Sequence, residues 1–118
     1  MNLPTVVFII NATLLLLHEI ESAYIKEWEI LKLPGGIKGF LSMHVPVILL
    51  LFWGVLEIEK RTPAGTLIAV IAGLGGLMPF FVHKVFVRKP GFFDSAVSNA
   101  LIILNMATGA LLILLAFY

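Results

Sequence analysis

The chain is expected to be an all-α membrane protein, a bundle of four transmembrane helices running up, down, up and down. Three observations predict it. Of its 118 residues 60% are hydrophobic and only 13% charged, against about 25% charged in an ordinary soluble domain. The mean hydropathy is +1.07. The apolar residues lie in four continuous runs, each close to the roughly 20 helical residues that cross a hydrocarbon core of about 30 Å. Barrel strands would instead alternate over about ten residues and need at least eight strands to close.

The runs occupy residues 3–24, 39–56, 63–86 and 92–117, one domain over 1–118. The first has no Lys or Arg before it and no small-residue cleavage site, so it is read as a retained helix and not a secretion signal. It is followed by Lys26, Glu27, Trp28, Glu29 and Lys32, a stretch expected to extend the helix to about residue 33, with Tyr24 and Trp28 as interfacial anchors. Lys32-Leu33-Pro34-Gly35 stops the chain before the second run, and Arg88-Lys89-Pro90-Gly91 does so before the fourth. The two elements are compatible with a repeat of two helical hairpins or with convergent punctuation. Glu57, Glu59, Lys60 and Arg61 form a mixed charge run between the second and third runs and read as a solvated loop.

Of the eight cations, Lys26, Lys32 and Lys38 lie in the first connection and Lys84, Arg88 and Lys89 in the third. Lys60 and Arg61 lie in the second. Under the positive-inside rule, this places both termini outside a cell inner (plasma) membrane and the first and third connections in the cytoplasm. A net charge of +1 with no basic, aromatic-interleaved surface argues against a nucleic-acid partner. The absence of cysteine excludes disulfides and thiolate ligands, so any metal must be held by nitrogen and oxygen.

Threaded this way, the cytoplasmic ends of all four helices carry a polar cluster: His18, Glu19 and Glu21, then His44, then His83, then Asp94 with Ser98 and Asn99 beyond. Ionisable groups at that depth are costly and point to a purpose beyond packing. Residues three or four apart share a helical face, so His18 and Glu21 project together while Glu19 points about 100° away. Ala69, Ala72, Gly73, Gly76 and Pro79 form a small-residue seam that leads to His83. Pro79 removes a backbone hydrogen bond and kinks the helix beneath that histidine. Asp94, Ser98, Asn105 and Gly109 make a comparable stripe on the fourth helix.

The expected site is a metal centre of His18, Glu21, His44 and His83 with Asp94 as a further ligand, His18 and Glu21 being the catalytic pair. Three imidazoles and a carboxylate suit zinc, or iron or manganese where Asp94 joins. The blander alternatives are interhelical hydrogen bonding by Asn11, Asn99 and Asn105, a hydrated interfacial His44, and a snorkelling His83-Lys84 end.

The run His18-Glu19-Ile20-Glu21-Ser22, with the Pro-Gly elements and His83, resembles the HXXEE family of small four-helix membrane proteins. The family's His falls on His18 and its first Glu on Glu21, while its second Glu falls on Ser22, a departure. The resemblance implies a membrane site of unknown chemistry. Three functional classes follow: a metal-dependent hydrolase or proton-transfer enzyme acting on a lipid-like or amphipathic small molecule, a small proton-coupled transporter, and an assembly or accessory subunit. The lipid bilayer is the certain partner on this reading, and a 13.0 kDa bundle with a small core is a candidate for homodimerisation.

Overall fold

Capping residues written into the sequence set most helix starts. In the computed structural model, which describes residues 1–87 and 91–118, α1 spans Leu3–Tyr24 and is capped by Asn2, whose side chain accepts from the Thr5 N–H at 2.9 Å. A short α2 spans Glu27–Ile30 and α3 spans Gly36–Glu59. Thr62 caps α4, Pro63–Phe80, by accepting from the Gly65 N–H at 3.0 Å, with Pro63 in the first turn where its missing N–H costs nothing. A π-helical turn, Phe81–Phe86, continues α4. Ser95 caps α5, Ala96–Ala116, through the Ser98 N–H at 3.0 Å.

The four expected spans are all present and no strand occurs among the described residues. Several boundaries differ, α3 among them, which starts at Gly36 and not at residue 39. Residues 25–33 do not prolong the first helix: Lys26 adopts a left-handed conformation at φ 56°, the chain turns, and α2 folds back as a separate element. Glu57 and Glu59 belong to the last turn of α3 instead of a loop. There Glu57 accepts from the Thr62 hydroxyl at 2.7 Å, and Glu59 accepts from the Asn2 N–H at 3.1 Å, stapling the start of α1 to the end of α3. Residues 92–95 precede α5 as an irregular connection. Arg88, Lys89 and Pro90, and with them most of the second Pro-Gly element, lie outside the described residues.

Helix α4 is the hub. Of its most apolar window 39% is buried inside the protein, against 11% for α3, whose Leu49, Phe52 and Leu56 face outward toward lipid. The reason is side-chain size. Lipid tails are as apolar as leucine, so helices in a membrane associate through close backbone approach and polar contacts. A Cβ on Gly73 would stand 2.7 Å from the Gly109 carbonyl oxygen, and a Cβ on Gly109 would stand 2.5 Å from the Gly73 carbonyl oxygen. Alpha4 and α5 therefore pack at a separation only glycine permits.

Two asparagines lie buried in this interior. Asn11 donates to the Ala72 carbonyl at 3.0 Å and accepts from the Thr108 hydroxyl at 2.9 Å, tying α1 to α4 and α5 as expected of interhelical glue. Asn105 is fully buried beside Gly76, and its amide finds no hydrogen-bond partner among the described residues. Asn99 bonds locally, to the Asp94 carbonyl at 3.3 Å. The apolar core beside these residues gathers Phe8, Leu51, Ile68 and Leu112 from four helices.

Candidate metal centre

The antiparallel path brings the end of α1, the start of α3 and the end of α4 together at one pole, and the polar residues gather there. Donor atoms of His18, Glu27 and His83 all lie within 4.8 Å of one another. His83 Nε2 is 2.8 Å from Glu27 Oε1. The two imidazole centroids are 5.2 Å apart. Both histidines are buried, at 2% and 7% exposure, and His18 Nδ1 has no hydrogen-bond partner among the described residues. A buried imidazole nitrogen without a partner is a strong acceptor or ligand left unused, which native structures seldom tolerate without reason.

His18 stands on the regular helix α1, and the other two members are placed by local irregularities. Pro79 lacks an N–H and sits inside α4. The helix widens just beyond it into the π turn that carries His83, closed by the Val87 N–H to the Val82 carbonyl at 2.7 Å. Single π turns recur at functional sites because they re-aim a side chain that the α geometry would direct elsewhere. Phe93, also left-handed at φ 56°, then stacks on His83 at 3.9 Å and lies 5.0 Å from His18, fixing both rings from the α5 side. Glu27 is delivered by the turn at Lys26. Burial pushes its carboxyl up, but His83, the Ser22 hydroxyl and His18 outweigh that and hold it below the usual carboxylate range. The carboxylate is therefore the form present at neutral pH.

Of the residues expected to form the site, His18 and His83 are brought together. The others have different partners. Glu21 accepts from the Ser98 hydroxyl of α5, with its second oxygen buried and without a partner. It shares a helical face with His18 as expected, but that face meets α5 at this level. His44 forms its own pair with Glu19, Nε2 to Oε2 at 2.8 Å, while its Nδ1 donates to the Phe40 carbonyl at 2.7 Å. Glu19, pointing about a third of a turn from His18, meets α3 for that reason. Asp94 is over half exposed, lies 3.4 Å from Lys84 Nζ and accepts from the Gly91 N–H at 2.9 Å.

A cavity of about 300 Å³ adjoins the cluster, and His18, Glu27, His83 and Glu19 all contribute to its wall. The rest of the wall is almost entirely apolar, with Leu15, Phe40, Met43 and Met78 among its members. The arrangement is that of a ligand pocket, largely apolar with a few convergent polar groups.

A model of a family of unknown function, DUF6713, matches residues 4–118. No curated protein and no solved structure matches the chain. The family found is not the HXXEE family that the His18–Ser22 run resembles; what the two readings share is an uncharacterised family and four apolar helices long enough to cross a membrane.

Proposed function

Because the chain belongs to this family of unknown function over nearly its whole length, we propose its activity from its own geometry: a membrane metalloenzyme in which His18, Glu27 and His83 hold a zinc ion. One observation carries the reading. Two imidazoles and a carboxylate converge within 4.8 Å, and His18 Nδ1 is buried without a partner among the described residues. Two His and one Glu is the donor set of hydrolytic zinc sites, which keep a fourth position open for water or substrate. Iron(II) accepts the same three donors and is the runner-up metal. Asp94, expected to favour iron or manganese, is engaged with Lys84.

His18, Glu27 and His83 would hold the ion, and the chemistry it would supply there is water activation and polarisation of an ester or amide carbonyl. The chain's own contribution is positional. Phe93 stacked on His83 fixes the ring plane, Glu27 neutralises part of the ion's charge, and the apolar wall keeps bulk water away. The cation distribution supports a cytoplasmic location for this pole, with both termini on the far side.

Elemental analysis of the purified protein, after washing with a weak chelator, tests the reading. Near-stoichiometric zinc or iron is expected, lost in His18→Ala, His83→Ala and Glu27→Gln and retained in His44→Ala. A folded protein that holds neither metal after reconstitution would overturn it. The Glu19–His44 pair supports a second reading, metal-free proton transfer, because Glu19 lies on the cavity wall beside the cluster. Activity that survives complete metal removal but not His44→Ala would favour it.

A further inference from the structure

We infer that the cavity beside the histidines holds a single alkyl chain that enters sideways from the bilayer between α3 and α4, so that the substrate is a single-chain amphiphile presenting its head group to His18, Glu27 and His83. The head-group half of this inference rests on the metal reading; the chain half does not.

Three observations converge. The first is a glycine that packing does not explain. On α4, Gly73 and Gly76 are pressed against α5, where an added Cβ would meet backbone oxygens at 2.7 and 2.8 Å. Gly75 is different. A Cβ there meets only Leu15 Cδ2, at 3.6 Å, an ordinary contact. Gly75 lines the cavity; its missing side chain enlarges that space instead of letting two helices touch.

The second is the direction in which the cavity opens. Met43 of α3 and Met78 of α4 both line it, yet they are 55% and 56% exposed. Side chains that border a cavity and the outer surface together mark its mouth. Both residues lie on membrane-spanning helices, while Leu33, also lining the cavity and 52% exposed, lies just outside the spans, so the mouth faces lipid at its end nearest the membrane surface. Methionine is unbranched and adaptable, suited to a gap that must yield to a flexible chain.

The third is the layering of the wall. Leu15 and Gly75 stand a helical turn deeper than His18 and Pro79. Trp28, from α2, lines the cavity above. An alkyl chain entering between the two methionines can lie along the apolar depth with its polar end beside the donors. About 300 Å³ is at the small end of ligand pockets, which leaves room for one chain and not for a two-chain phospholipid.

The test uses Trp28 as reporter. Trp53→Phe removes the other tryptophan, which is on the outer face of α3. The protein in phosphatidylcholine nanodiscs is titrated with a medium-chain fatty acid brominated along its chain, and quenching of Trp28 is followed while metal content is measured on the same samples. Saturable quenching is expected. Gly75→Leu, which fills the cavity, should weaken it about tenfold with metal content unchanged, and Gly75→Ala should fall between the two. Quenching that rises linearly with added fatty acid, as partition into bilayer alone produces, would overturn the inference. So would saturable quenching equally strong in Gly75→Leu. Because Gly75→Ala introduces only an ordinary contact, it keeps the test open if the leucine variant folds poorly. A protein that binds the chain saturably yet holds no metal would remove the metal reading and uphold the pocket.

Discussion

Nine residues separate His18 from Glu27, and in an unbroken helix that interval places the second residue on the opposite face and about 14 Å further along the axis. The two side chains meet only because Lys26 takes a left-handed conformation and breaks the helix. Lysine gives no sequence signal for such a break, since glycine and asparagine are the residues that adopt it cheaply. This is why His18 and His83 were legible as site members while Glu27 was not, hidden among the charges of a run that looked like a helix extension. Glu21 was preferred on helical spacing, and the spacing was right; what the sequence lacked was which neighbouring helix that face would meet. The three proposed ligands also predict how metal binding would answer pH. Glu27 is held below the usual carboxylate range, so it remains an anion through mild acidification and does not limit binding there. The histidines do, because protons compete with the metal for imidazole nitrogen. Metal occupancy should therefore fall on acidification and recover on return to neutral pH, as read by metal content after equilibration at each pH.

Among the elements, α4 combines the tightest packing with the most irregular geometry. Its glycines let α5 approach, and Pro79 with the π turn beyond it re-aims His83. The small-residue seam and the proline were both readable in the sequence; the start of α5 was not, since the apolar run from residue 92 put its cap, Ser95, inside the helix. The π turn was not, because nothing in Phe81–Phe86 distinguishes an extra residue per turn from ordinary helix. The seam makes a contrast that can be measured. Gly76→Ala places a methyl against the Asn11 side-chain oxygen and 2.8 Å from the Asn105 carbonyl oxygen, and a backbone carbonyl cannot yield as a side chain can. Overpacking of this kind costs about 1–3 kcal/mol. Gly75→Ala meets only a leucine methyl at 3.6 Å and gains up to about 1 kcal/mol of helix propensity. The unfolding midpoint of Gly76→Ala should thus fall clearly below that of the parent, and that of Gly75→Ala should stay level or rise.

Across the molecule the two poles are chemically unlike. One carries the histidines and Glu27. The other is closed by Asn2, Thr5 and Glu59, with Glu57 bonded to Thr62 in the α3–α4 turn, and no histidine lies there. Chain order alone fixes that contrast, since four antiparallel spans must put the first and third connections on one side. What chain order leaves open is which side is the cytoplasm, and only the cation count speaks to it. Lys26, Lys32 and Lys38 with Lys84, Arg88 and Lys89 oppose Lys60 and Arg61, a difference that favours cytoplasmic retention of the histidine pole. The chain has no cysteine, so single cysteines report the topology without background. Lys32→Cys in the first connection and Lys60→Cys in the second, expressed in intact cells, should respond oppositely to a membrane-impermeant maleimide. Lys60→Cys is expected to be labelled from outside and Lys32→Cys only after the cells are opened. The reverse pattern would place the proposed metal site on the outer face, where zinc and an amphiphilic substrate of the kind proposed would have to come from the outer leaflet and the medium beyond it.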